Sequence, residues 1–149
     1  MECCLIKYNS ESEDETIALG ESLASKLKPG SVVALKGILG AGKTYFVKGI
    51  ARGLNIQDTI TSPTYTIVNE YTGILEGKDI QLFHIDAYRL SGDDDFVGTG
   101  VVEFIGGNCI AVIEWSDRIP LSVPPSAISV SIEIDGPQSR IISIRDNSP

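Results

Sequence analysis

Residues Gly37-Ile38-Leu39-Gly40-Ala41-Gly42-Lys43-Thr44 fit the pattern G-x-x-x-x-G-K-[ST]. That spacing suits a nucleoside triphosphate. Glycines let successive backbone N–H groups turn toward phosphate oxygens, a lysine adds a point charge, and the final hydroxyl reaches the Mg²⁺ that bridges the β- and γ-phosphates. Gly37, Leu39, Gly40, Ala41, Gly42, Lys43 and Thr44 are therefore the candidate cradle for ATP, with Thr44 a candidate magnesium ligand. The glycines overlap part of a dinucleotide fingerprint, but a Lys-Thr pair directly after the last glycine favours a triphosphate. No Asn-Lys-x-Asp segment is present to read guanine, so ATP is expected over GTP.

Such a site also needs a carboxylate at the end of a neighbouring strand, to hold the metal's water shell or orient the attacking water. Glu114 closes the apolar run Ile110-Ala111-Val112-Ile113 and is the better metal-site acid, whereas Asp86 closes a run interrupted by His84. The alternative for either is an exposed strand-end acid paired with Arg89 or Arg118. His84, the only histidine, reads as a core or supporting group rather than a general base. Trp115 follows Glu114 and either lies by the nucleotide or a partner surface, or is simply buried. Ser62-Pro63-Thr64 stands where a segment sensing the γ-phosphate would lie, which makes Thr64 a candidate switch residue; an ordinary turn is the alternative.

The elements around these residues read as an α/β domain. A strand over 3–8 feeds a helix with Ser12 and Glu15 at capping-box spacing and apolar Ile17, Leu23 and Leu27, ended by Pro29-Gly30. The apolar, β-branched run 31–36 precedes the glycine loop, and Phe46, Val47, Ile50, Ala51 and Leu54 recur at helical spacing after it. Strands are expected over 65–71 and 80–86, joined through Gly73 and a polar connection to Asp79. Asp93, Asp94 and Asp95 open a helix as an N-terminal charge cluster rather than a metal site. The most apolar strand, 109–115, belongs at the centre of the sheet, and 127–134 with 140–145 form a terminal hairpin around DGPQ. The expected architecture is a single P-loop NTPase domain over 1–149, a three-layer sandwich with a largely parallel central sheet and antiparallel edge strands.

Composition narrows the setting. A net charge of −8 argues against a chain that grips nucleic acid unaided. No apolar stretch approaches the length of a membrane span, and the acidic start MECCLIKYNSESEDE has the wrong order for a secretory signal. The three cysteines fit neither a disulfide framework nor a zinc spacing, so a cytoplasmic protein is expected.

Taken in order, GILGAGKT at 37–44, SPTYTIV at 62–68, HIDAYRL at 84–90 and IEW at 113–115 closely resemble the TsaE/YjeE family. Those are bacterial ATPases of tRNA threonylcarbamoyladenosine biosynthesis, and the resemblance covers nearly the whole chain. It implies an accessory ATPase that binds the threonylcarbamoyltransferase pair and uses ATP to sustain its cycles; the transfer chemistry belongs to the partners, which hold the tRNA. Carried onto matching positions, the resemblance makes Thr44 and Glu114 the magnesium-linked pair, Asp86 an acid required for turnover and Thr64 part of the switch. It places Thr16 near the base and Arg140 near the nucleotide. Departures from the family pattern are Ile38 for a usual Asp, Tyr45 for a usual Thr and Ala87 for a usual Leu. None removes a phosphate ligand, and bulky Tyr45 bears on affinity and base-side geometry. Two other functions compete: a nucleotide-gated interaction module in which ATP binding alone acts, and a small-molecule kinase, for which the chain is short and lacks an arginine-rich lid.

Overall fold

The computed structural model describes residues 4–38, 40–61, 63 and 67–147. In chain order these form β1 (Cys4–Ser10), α1 (Glu13–Ala24), β2 (Val32–Lys36), α2 (Lys43–Gly53), β3 (Val68–Leu75), β4 (Lys78–Asp86), α3 (Asp93–Gly98), β5 (Cys109–Glu114), β6 (Ile128–Ile134) and β7 (Arg140–Asp146). One sheet takes all the strands in the order β1-β7-β6-β2-β5-β4-β3. Its inner strands β6, β2, β5 and β4 run parallel, while β7 and β1 at one edge and β3 at the other pair antiparallel. This is the expected mixed α/β class.

Burial explains the centre. Every residue of β5 and the first four of β2 are buried, as strands covered on both faces must be. Alternate residues feed two cores. Val33, Leu35 and Val112 join Phe46 and Ile50 under α1 and α2, whereas Ala34, Ile85 and Ile113 join Leu90, Phe96 and Ile119 on the opposite face. That second layer is thin, built from α3, two 3₁₀ turns (Val101–Phe104 and Ser116–Arg118) and loops.

The two long helices touch backbone to backbone. A Cβ on Gly20 would lie 2.2 Å from the Phe46 carbonyl oxygen, and one on Gly49 would lie 2.0 Å from that of Ile17. This contact ties α2, which begins at the glycine loop, to α1. At the start of α1, the Ser12 hydroxyl accepts the Glu15 N–H and the Glu15 carboxylate accepts the Glu11 N–H, a reciprocal cap.

Several boundaries differ from the sequence reading. The first helix stops at Ala24, and tight turns from Leu23 and Ala24 carry buried Leu27 into the core without extending the helix. Of the strand expected over 65–71, residues 65 and 66 lie outside the described residues; the described strand is Val68–Leu75, and it runs straight through Gly73. There glycine is needed for close approach, because a Cβ would meet the Leu54 carbonyl oxygen at 2.5 Å. The hairpin turn falls at Glu76 and Gly77, both at positive φ. The Asp93–Asp95 cluster is structural: Asp93 Oδ1 accepts the N–H and hydroxyl of Ser122, each at 2.8 Å, and Asp95 accepts the Ser91 N–H.

The helix crossing gives a prediction whose sign opposes helix propensity. Alanine is favoured over glycine by about 0.8–1 kcal/mol in a helix interior, yet Gly49→Ala would press its methyl into backbone. It should lower stability by roughly 1–3 kcal/mol or more in urea unfolding. Gly98→Ala, where a Cβ meets nothing within 4 Å, should stay within about 0.5 kcal/mol of the parent.

Candidate functional site

The glycine loop leaves the end of β2 and enters α2 at Lys43. Gly40 (φ 81°) and Gly42 (φ 102°, the N-cap of α2) sit in the left-handed region that side chains disfavour. Gly37 is tight for another reason, since a Cβ there would stand 3.0 Å from the Ile132 carbonyl oxygen and 3.1 Å from Ala41 Cβ. Lys43 is buried and folds back under the loop, where its Nζ donates to the carbonyl oxygens of Gly37 and Ile38 and lies 4.5 Å from the centre of the Trp115 ring. Burial lowers the Lys43 pKa, while Glu114, Asp86 and Asp117 pull it upward.

Arg140 clamps the loop from across the sheet. Its Nε donates to the Ala41 carbonyl at 2.8 Å and Nη2 to that of Gly40 at 3.2 Å, while Nη1 donates to the carbonyls of Gly136 and Ser139. The guanidinium therefore joins the glycine loop to the β6–β7 turn.

Both candidate acids stand at strand ends beside the loop. Parallel pairing puts Leu35 opposite Glu114, and Glu114 opposite Asp86. Glu114 is buried, and its Oε2 pairs with His84 Nε2, also fully buried; His84 Nδ1 has no partner. Asp86 accepts the Tyr88 N–H at 2.9 Å. Burial raises the Asp86 pKa and the nearby Glu114 adds to the rise, against the Tyr88 hydrogen bond and the opposing influence of His84 and Lys43.

These groups open on one cleft of about 400 Å³, within the range of small-molecule sites. Of the residues singled out from sequence, Gly40, Ala41, Gly42, Lys43, Thr44, Tyr45, Thr16, Asp86, Glu114, Trp115 and Arg140 line it, whereas Gly37, the first residue of the loop, does not. Leu39 and Thr64 lie outside the described residues. Thr16 is buried, its hydroxyl 2.7 Å from that of Ser10. Trp115 is held at positive φ (57°), with its N–H bonded to the Leu35 carbonyl and its ring 5.0 Å from the Tyr88 ring.

Four further lining residues, Ser12, Glu13, Pro137 and Gln138, are not among the site candidates read from the sequence. Glu13 hydrogen-bonds the Tyr45 phenol and raises its pKa. The helix cap and the DGPQ turn were visible as local structure; that both face the loop depends on tertiary arrangement. Among the described residues no three His, Cys, Asp or Glu side chains cluster as a metal site. A cation here would need oxygens beyond the protein's own, as Mg²⁺ on a phosphate ligand has.

The family model for the threonylcarbamoyl adenosine biosynthesis protein TsaE matches residues 10–142. The chain belongs to the TsaE family. Among its relatives, the tRNA threonylcarbamoyladenosine biosynthesis protein TsaE of Treponema pallidum is 40% identical over 135 residues, covering 91% of this chain and 96% of the relative. That of Bacillus subtilis is 36% identical over 139 residues, covering 93% and 84%. The crystal structure of Bacillus subtilis YdiB superposes with a TM-score of 0.77 at 31% identity, over 99% of this chain and 89% of that one. The TsaE resemblance read from the four motifs is thus established, and its fold with it.

The Arg140 clamp carries a stability prediction. Arg140→Ala should cost roughly 1.5–3 kcal/mol in urea unfolding, the scale of charged hydrogen bonds. Arg140→Lys keeps the charge but lacks the planar fork, so it should recover less than half of that loss. Full recovery by lysine would show that charge alone matters here.

Proposed function

We propose that this TsaE-family chain binds ATP with Mg²⁺ in the cleft and hydrolyses it to support a threonylcarbamoyltransferase pair that forms N6-threonylcarbamoyladenosine in tRNA. The observation that carries the reading is the convergence of the glycine loop, Lys43 and two strand-end acids, Asp86 and Glu114, on one cleft at the ends of parallel strands. Membership of a family described by threonylcarbamoyl adenosine biosynthesis supplies the biological setting.

The residues present fit the ligands. Positive-φ glycines and the N-terminus of α2 suit backbone capture of phosphate. Two neighbouring acids, one with its pKa raised by burial and by the other's charge, leave the cleft short of positive charge that a cation would supply. In this reading Lys43 offsets phosphate charge, Thr44 and Glu114 hold the magnesium side, and Asp86 orients or accepts a proton from the attacking water. Bound Mg²⁺ would neutralise charge across the β- and γ-phosphates. Tyr45, Thr16 and Trp115 wall the remainder of the cleft, and Arg140 keeps the loop in shape. The tRNA is contacted through the partner complex, consistent with the net charge of −8, and the setting is the cytoplasm. No helix among the described residues is long and apolar enough to cross a membrane.

The test is a reconstituted modification reaction that counts rounds per transferase complex. Lys43→Ala should abolish support of repeated rounds. Asp86→Ala should retain ATP and partner binding within about threefold and lower multi-round modification at least 100-fold, the scale of one positioned acid–base group. Normal modification with Lys43→Ala would refute the ATP-dependent role. Full support by an Asp86→Ala variant that no longer hydrolyses ATP would instead favour nucleotide-gated binding.

A further inference from the structure

His84 is absorbed by none of the roles above, yet its imidazole is fully buried and among the largest fully buried side chains of the molecule. Strand pairing sets it between Asn69 on β3 and Val112 on β5, two residues before Asp86 on β4. The ring makes one polar contact, Nε2 to Glu114 Oε2, and leaves Nδ1 without a partner. A hydrocarbon ring would fill the same slot without an orphan nitrogen, so packing alone gives no reason for imidazole. What imidazole adds is a donor. With the hydrogen on Nε2, the imidazole donates and the carboxylate oxygen accepts.

We propose that His84 is a positioning residue: its Nε2–H holds one oxygen of the Glu114 carboxylate and thereby sets how the carboxylate presents to the cleft. The inference rests on the ATP–magnesium reading above. A glutamate side chain has three rotatable bonds, the last of which turns the plane of the carboxylate, and without a partner that plane could take more than one orientation toward the cleft. Anchoring Oε2 from the neighbouring strand fixes that plane before any ligand arrives. Outer groups that hydrogen-bond a metal-binding carboxylate commonly set its orientation in this way. His84 touches neither nucleotide nor water in this account; its effect passes wholly through Glu114.

Two variants separate donation from packing. His84→Phe keeps a ring and removes the donor, whereas His84→Gln places an amide N–H near the position of Nε2. The first readout is the factor by which Mg²⁺ tightens ATP binding, measured by titration calorimetry with and without Mg²⁺. His84→Phe should reduce that factor at least fivefold while Mg²⁺-free ATP affinity stays within twofold, and His84→Gln should keep the factor within twofold of the parent. An unchanged factor in His84→Phe, or equal loss in both variants, overturns the proposal.

The second readout needs no nucleotide. Thermal unfolding of the parent, His84→Phe, Glu114→Gln and the double variant should be non-additive, the double losing clearly less than the sum of the singles. Additive losses would overturn the contact itself. If the parent binds no ATP, the ATPase reading fails, and this cycle alone decides the His84–Glu114 contact. Should His84→Phe not fold, His84→Met takes its place in both measurements.

Discussion

The parallel register of β2, β5 and β4 is the constraint on which the site depends. With Leu35 opposite Glu114, and Glu114 opposite Asp86, the strand that delivers the glycine loop and the strands that deliver both acids end at one level. Open sheets place ligands outside the carboxyl ends of parallel strands for this reason. A shift of one residue in β5 would turn Glu114 to the other face, into the layer of Ile113 and Ala34. The fully buried sequence of β5 opposes such a slip only through packing detail, since both faces are apolar. The pairing of Glu114 with His84 adds a polar contact that only the observed register can make.

Charge is the second organising theme. A lysine and two acids are withdrawn from water at the base of the cleft, and burial pushes Lys43 and Asp86 toward their neutral forms while their mutual attraction resists. Lys43 meanwhile satisfies carbonyls of its own loop, and Arg140 satisfies others from the far hairpin. The loop thus keeps its shape through cations bonded to its carbonyls, and through the Ala41 N–H, which donates to the Ile38 carbonyl. On the proposed reading, phosphate and Mg²⁺ complete this balance.

Legibility in sequence followed the range of the interaction. The glycine loop, its flanking strand and helix, and the apolar run ending in Glu114 are local patterns, and all appear where the sequence placed them. Gly73 was misread because a glycine that permits close approach to Leu54 looks, in one dimension, like a glycine that turns the chain. The Gly20–Gly49 crossing left no mark in helical periodicity, which registers apolar faces and not missing side chains. Only the resemblance placed Arg140 near the nucleotide; its bonds to Gly40 and Ala41 span about 100 positions and depend on β6 lying next to β2. His84 and Glu114 likewise meet only because β4 and β5 are neighbours.

The central claim is that this cleft hydrolyses ATP in service of partner enzymes. The most direct measurement is phosphate release from ATP by the purified chain, alone and with the threonylcarbamoyltransferase pair, with the Lys43→Ala rate subtracted as background. The account predicts slow release alone and at least tenfold faster release with the partners, lost in the variant. Unstimulated release in a mixture proven to bind ATP and to form the complex would contradict it.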